Sequence, residues 1–185
     1  METSLIISGF GGQGTLFSGQ VLTYAAMAAD KHVTWIPSYG PEMRGGTANC
    51  TVMISDHPIG SPLVMNPSIV IAMNQPSLEK YEEVIPEGGY LIANKSLITK
   101  EFTRSGINSF FIPANELAEE LGNAKTATML MTGAMVEVTG ILTLEQIKTA
   151  LENNIPERHK KTLPVNFAAI DKGAEFIREL VAEKA

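Results

Sequence analysis

Short apolar runs alternate with stretches of helical periodicity along this chain. Residues 4–8, 32–36, 48–55, 68–73, 90–93 and 109–112 carry the Ile, Val, Leu and Phe content of strands. Turn residues such as Asp56-His57-Pro58 and Gly88-Gly89 bound them. The run Ile69-Val70-Ile71-Ala72 is apolar at every position, as expected of a strand buried on both faces. Between the strands, helices are expected over 15–28, 76–84 and 114–121, the last with Asn115 as N-cap. The last third reads as helical. Residues 127–138 are apolar all round and should be buried in the domain or against a partner. Thr143 caps a helix over 144–153, and Phe167, Ile170, Ala174, Ile177 and Leu180 line one face of a final helix. Alternating strands and helices in 185 residues predict one α/β domain.

The first strand runs into Gly9-Phe10-Gly11-Gly12-Gln13-Gly14, a glycine-rich loop that opens a helix. At such a junction the backbone turns tightly, and the first N–H groups of the helix have no internal partner, so an anion fits there. The spacing of Gly9, Gly11 and Gly14 matches a dinucleotide fingerprint, but that fingerprint also needs an acidic residue at the tip of the second strand. Here the second strand ends in Pro37-Ser38-Tyr39, and no Gly-Lys-Ser/Thr follows the glycines to make a P-loop. The competing reading is that the glycines serve close packing alone.

A second unusual loop follows the second strand: Ser38-Tyr39-Gly40-Pro41-Glu42-Met43-Arg44-Gly45-Gly46-Thr47. Two glycines after Arg44 free its backbone to turn, and the guanidinium offers a planar fork for carboxylate or phosphate. Glu42 is the alternative partner for that charge, in a structural ion pair within the loop. Both loops follow strands expected to run parallel, so both are expected at one end of the sheet as a single anion-binding surface.

Composition narrows the function classes. Hydrophobic residues make up 44% and charged residues 18%, more apolar surface than a highly charged monomer carries, which suits a covered face in an assembly. The net charge of −6 and the lack of a long basic stripe argue against nucleic acid or an anionic membrane as partner; Arg158-His159-Lys160-Lys161 is short and reads as a solvated loop. The single cysteine, Cys50, rules out an internal disulfide and a four-thiolate cluster site within the chain. It reads as a small hydrophobe on a strand. His32, His57 and His159 are scattered, so no metal set and no nucleophile–base pair is expected. No stretch approaches the ~20 apolar residues of a membrane span, and the start of the chain lacks a secretory pattern, so a cytoplasmic protein is expected.

Three motifs together carry a resemblance. Gly9-x-Gly11-Gly12-Gln13-Gly14, then the run from Tyr39 through Arg44-Gly45-Gly46-Thr47-Ala48-Asn49 to Cys50, then Ile59-x-Ser61-Pro62 resemble the gamma subunit of 2-oxoacid:ferredoxin oxidoreductases. The likeness continues through 129–140 and 164–173 and covers nearly the whole chain. It implies a three-layer α/β/α fold around a mostly parallel, mixed sheet, and a subunit homologous to one domain of the single-chain pyruvate:ferredoxin oxidoreductases. By the same resemblance the complex oxidatively decarboxylates a 2-oxoacid with coenzyme A, giving acyl-CoA, CO2 and reduced ferredoxin. Thiamine diphosphate, magnesium and the iron–sulfur clusters belong to alpha, beta and delta partners, and this chain holds no cofactor or metal and no catalytic residue of its own. A compact, free-standing gamma chain is most similar to the 2-oxoglutarate type, with pyruvate, branched-chain and indolepyruvate types as alternatives. Gly11, Gly12, Gln13, Gly14 and Arg44 are the candidate contacts to coenzyme A. The remaining alternatives are a stand-alone dinucleotide-binding oxidoreductase and a purely structural subunit.

Overall fold

A computed structural model of the chain describes residues 2–39 and 46–184. The expected strands and helices form in order: β1 (Glu2–Phe10), α1 (Thr15–Ala28), β2 (His32–Tyr39), β3 (Thr47–Ser55), β4 (Ile69–Ala72), α2 (Gln75–Tyr81), β5 (Tyr90–Asn94), β6 (Asn108–Ile112), α3 (Ala114–Glu120), α4 (Ala127–Thr139), α5 (Leu144–Asn154) and α6 (Leu163–Lys184). The strands make one sheet in the order β2-β3-β1-β4-β5-β6. β1, β4, β5 and β6 pair in parallel, while β3 lies antiparallel to both of its neighbours, β1 and β2. The sheet is therefore mixed, with β3 alone reversed. β2 runs on through Pro37 because it is an edge strand, where a missing N–H costs no ladder bond.

Side chains alternate between two cores. Leu5, Ile7, Ile69, Ile71, Ile92 and Ile112 face one side, and Ile6, Val70, Ala72, Leu91 and Ala93 the other. The first core is covered by α1, α3, α4, α5 and α6. The second is covered by α2, the 3₁₀ turn Glu82–Val84 that follows it, and Phe102, which tilts against Phe111 at 5.8 Å between ring centroids. The three layers are thus unequal in thickness.

Two expectations need correction or completion. Asn115 does not cap α3: Pro113 is in that place, and the Asn115 Oδ1 accepts from Asn94 Nδ2 at 2.9 Å. The apolar helix over 127–138 is covered inside the domain rather than by a partner. Met129, Leu130, Met131, Ala134 and Met135 are all buried, because α6 lies closely against α4. That approach depends on two glycines. A Cβ on Gly133 would come within 2.8 Å of the Ile170 carbonyl carbon, and one on Gly173 within 2.8 Å of that of Leu130. The large apolar side chains left in solvent are elsewhere: Leu63 and Met65 are 80% and 85% exposed.

Candidate functional site

The glycine loop sits at the end of β1 and hands the chain to α1 on the thick face of the sheet. β4 instead hands it to α2 on the thin face. The crevice between β1 and β4 is therefore a topological switch point, where open α/β sheets place ligands beyond the carboxyl ends of their strands. Polar side chains gather there. Ser8 Oγ accepts from Ser77 Oγ at 2.9 Å, and Asn74 caps α2 by accepting from Ser77 N at 3.0 Å. Asn94, fully buried, accepts from the backbone N–H groups of Ser96 and Ala114 at the end of β5.

The loop is held from three sides. Gln13 N–H donates to Phe10 O at 3.1 Å, and Phe10 N–H donates to Gln13 Oε1 at 2.6 Å, so the side chain folds back and closes a small ring. Asn74 Nδ2 reaches the same Oε1 at 3.5 Å. Thr128, at the start of α4, donates its hydroxyl to Gln13 O. Gly12 and Gly14 have φ of 96° and 85°, left-handed values that disfavour any side chain. Gly9 fits only without a Cβ, which would come within 2.9 Å of Met73 Cβ.

Gly14 is the N-cap of α1; no side chain caps the helix and no acidic residue lies in its first turn. Among the described residues the N–H groups of Gly12, Gly14, Thr15, Leu16 and Phe17 have no acceptor, whereas Gly11 N–H is already given to Gly46 O at 2.9 Å. The donors open toward a cavity of about 420 Å³ lined by Gly11, Gly12, Gly14, Thr15, Leu16, Phe17 and Ala48. A helix N-terminus and apolar walls suit an anionic group carried on an organic chain. Of the candidate contacts, Gly12 and Gly14 have free donors. Gly11 and Gln13 shape the loop, the N–H of Gly11 being spent on Gly46 O and that of Gln13 on Phe10 O.

Arg44 and Glu42 lie outside the described residues. The strand ends that flank them are paired in the sheet: Tyr39 pairs with Ala48, and Phe10 pairs with Thr47. The segment thus leaves and re-enters the sheet at the end where the glycine loop sits, and Gly46 bonds directly to Gly11.

The dinucleotide reading fails on topology as well as on residue type. β3 separates β2 from β1, so the tip of the second strand lies two strand spacings, roughly 10 Å, from the glycine loop. Cys50 lies on β3 in the thick core, fully buried, with its thiol 3.4 Å from Thr15 O. Burial pushes that thiol up to about 11, so it stays protonated and inert at neutral pH. Among the described residues no cluster of three or more His, Cys, Asp or Glu side chains is arranged to hold a metal, and no helix is long and apolar enough to cross a membrane.

Sequence reasoning did not find Thr128, Asn74 or Asn94. Thr128 lies 115 residues from Gln13, and nothing local in the sequence marks the pairing. Asn74 before Gln75-Pro76 carried a readable N-cap signal.

Residues 4–176 match the family described as pyruvate ferredoxin/flavodoxin oxidoreductase. The chain is 36% identical over 180 residues to ketoisovalerate oxidoreductase subunit VorA of Methanothermobacter thermautotrophicus, using 96% of this chain but only 37% of that protein's length. It is 35% identical over 183 residues to 2-oxoglutarate synthase subunit KorC of Methanocaldococcus jannaschii, covering 97% of this chain and 96% of that one. The crystal structure of the keto/oxoacid ferredoxin oxidoreductase gamma subunit from Geobacter sulfurreducens is similar along its length. Its TM-score is 0.80 at 28% identity, covering 96% of this chain and 99% of that one.

Proposed function

The chain belongs to the pyruvate ferredoxin/flavodoxin oxidoreductase family, and on that premise we propose that it is the gamma subunit of a complex that oxidatively decarboxylates 2-oxoglutarate. The complex consumes coenzyme A, releases CO2 and an acyl-CoA, and passes the electrons to ferredoxin. Thiamine diphosphate, magnesium and iron–sulfur clusters are assigned to alpha, beta and delta partners. The donor set here agrees with that division, since the one cysteine is buried and protonated. Leu63 and Met65, nearly fully exposed, suit a face covered by such partners. The proposed contact of this chain with the reaction is the glycine loop with Arg44, as part of the wall past which coenzyme A enters.

The observation that carries the 2-oxoglutarate assignment is the likeness to KorC subunits, at 35% to 36% identity in three archaea. The second reading, a ketoisovalerate-type complex, is favoured by the equally high identity to VorA. A tagged copy purified from the native host tests both. The expected result is co-purification with thiamine- and cluster-bearing chains, with coenzyme A-dependent reduction of a viologen dye by 2-oxoglutarate. Reduction by ketoisovalerate alone would replace the substrate assignment. A lone chain that itself turns over a 2-oxoacid would overturn the subunit reading.

A further inference from the structure

The sheet ends in two edge strands that are not alike. β6 has five residues, whereas β2 has eight and carries no Asp, Glu, Lys or Arg. Soluble proteins blunt edge strands with charge, proline, bulges or a covering element, because unpaired N–H and C=O groups are a template for another strand. In β2 the sequence supplies Pro37 and no charge.

One bond shows which groups of β2 are unpaired. Gly11 N–H donates to Gly46 O at 2.9 Å, one step beyond the Phe10–Thr47 pair, so the even-numbered residues of β3 are the ones that bond to β1. The odd-numbered residues of β3 turn toward β2, where Met53, Thr51 and Asn49 meet Thr34, Ile36 and Ser38. The N–H and C=O of Val33 and Trp35, and the C=O of Pro37, are therefore directed outward, without a partner among the described residues.

The helix above this edge is equally bare of charge. No Asp, Glu, Lys or Arg lies between Glu2 and Asp30, or between Lys31 and Glu42. The hydroxyl of Ser18 on α1 meets that of Thr132 on α4, and α4 lies over β4 and β5. The opposite flank of α1 therefore turns toward β2. It carries Gln20, Thr23 and Met27, the first two half-buried and the last 57% exposed. Gly19 brings the helix down on the strand: a Cβ there would be 3.0 Å from Trp35 Nε1.

Charge and area choose the occupant. The chain has a net charge of −6, all of it carried away from this face, so two copies approach here without like charges meeting. A partner selected by charge has nothing to grip on it. An eight-residue edge by itself is short of the roughly 1,200–2,000 Å² that a stable interface buries, and the flank of α1 adds surface beside it. We propose that β2 pairs antiparallel with β2 of a second copy of this chain, joining two sheets into one across a two-fold axis near Trp35. The N–H groups of Val33 and Trp35 donate to the C=O groups of Pro37 and Trp35 in the copy. Thr34 then lies opposite Ile36 of the copy, a favourable pair of β-branched side chains, and the two α1 flanks meet above them. This interface is independent of the coenzyme A reading.

Sedimentation equilibrium of the full chain over a dilution series tests the proposal. A dimer is expected, with a dissociation constant on the order of micromolar. Ile36→Lys and Ile36→Glu each bring like charges to about 7–8 Å across the axis and should each weaken the dimer about tenfold. An equimolar mixture of the two variants should restore it, because opposite charges then meet. Met27→Glu should weaken it about fivefold. Ile36 and Met27 are both exposed, so unchanged thermal midpoints will show that the variants fold. Amide exchange reads the strand pairing itself. Val33 and Trp35 should exchange slowly in the wild-type dimer and fast in Ile36→Lys, whereas Thr34, bonded to β3, should stay slow in both. A chain that is monomeric throughout overturns the proposal; if Ile36→Lys then blocks co-purification of other chains, the edge belongs to a partner subunit. A dimer that ignores the charge variants, or one in which Val33 and Trp35 exchange fast, overturns it equally.

Discussion

The side-chain oxygen of Gln13 lies 2.6 Å from the backbone nitrogen of Phe10, so the glycine loop is closed by a side chain rather than by a ligand. This ring keeps Gly12 and Gly14 in their left-handed conformations with their N–H groups unspent. Gln13→Ala removes the acceptor and should cost about 1 kcal/mol in urea unfolding, the net value of one such bond at a partly exposed site. Gln13→Glu keeps an acceptor at the same reach and should unfold near the wild-type midpoint at neutral pH. In the assembled complex, however, its carboxylate should raise the KM for coenzyme A several-fold at low salt, if an anion docks at the loop.

The contact of α4 with α6 makes a prediction about stability alone. Gly133→Ala would drive a methyl group into the Ile170 carbonyl, and Gly173→Ala into that of Leu130, both of them backbone atoms that cannot rotate away. Each should cost about 3 kcal/mol, the upper part of the usual range for overpacking. Gly60→Ala is the control: a Cβ there meets nothing within 4 Å, so the same change should be neutral or slightly stabilising. Thermal unfolding of the three variants decides it, and an unperturbed Gly133→Ala would mean that the helices are further apart.

Legibility in the sequence followed the range of the interactions. The 15–28 helix was readable at both ends because local features set its limits: a glycine junction before Thr15, and a polar Asp30-Lys31 after Ala28. The Thr143–Gln146 capping box is equally local; its Thr143 end was read and its reciprocal Gln146 bond only seen in the structure. Strand order was not legible. β1 and β2 are consecutive in one direction, yet β3 enters between them, and only pairing energies across the whole sheet decide that. The burial of 127–138 was expected, but its cover was not, because the glycines that admit α6 are 40 residues apart in sequence. The loop's glycines announced the candidate site, but the side chains that brace it came from distant elements: Thr128 had no local mark, and the N-cap signal of Asn74 pointed to its own helix and not to the loop.

Burial of Cys50 sets a pH dependence. Its thiol is raised from 9.0 to about 11 by desolvation, so the folded chain keeps a proton that the unfolded chain loses above about pH 9. The unfolded state then binds fewer protons, and stability falls as pH rises. The contribution is whole below pH 9, declines between about 9 and 11, and is gone above. Wild type minus Cys50→Ala, measured by denaturant unfolding from pH 8 to 11, should show a slope approaching about 1.4 kcal/mol per pH unit in that window. Equal pH profiles for the two proteins would show that the thiol titrates normally. A disulfide-exchange reagent at pH 8 should label native Cys50 only at the rate of global or local opening.

Arg44 carries the sharpest test of the shared anion surface. Its segment leaves the sheet beside Ala48 and returns through Gly46, whose carbonyl accepts from Gly11, so the loop is anchored directly to the glycine junction. The unspent N–H groups of Gly12 and Gly14 supply partial positive charge at that end, and a guanidinium would add a full charge and a two-pronged donor for a phosphate of coenzyme A. In the reconstituted complex, Arg44→Ala should therefore raise the KM for coenzyme A about tenfold while leaving that for the 2-oxoacid within about twofold, because only the phosphate-bearing substrate loses a charge-assisted bond. Arg44→Lys should recover part of the loss, since an ammonium keeps the charge and forfeits the fork. Steady-state kinetics with each substrate varied separately, on complexes shown to assemble with wild-type stoichiometry, gives the answer. Unchanged coenzyme A kinetics in an assembled Arg44→Ala complex would assign the arginine to an ion pair with Glu42 or a partner carboxylate, and leave the glycine loop to bind its anion alone.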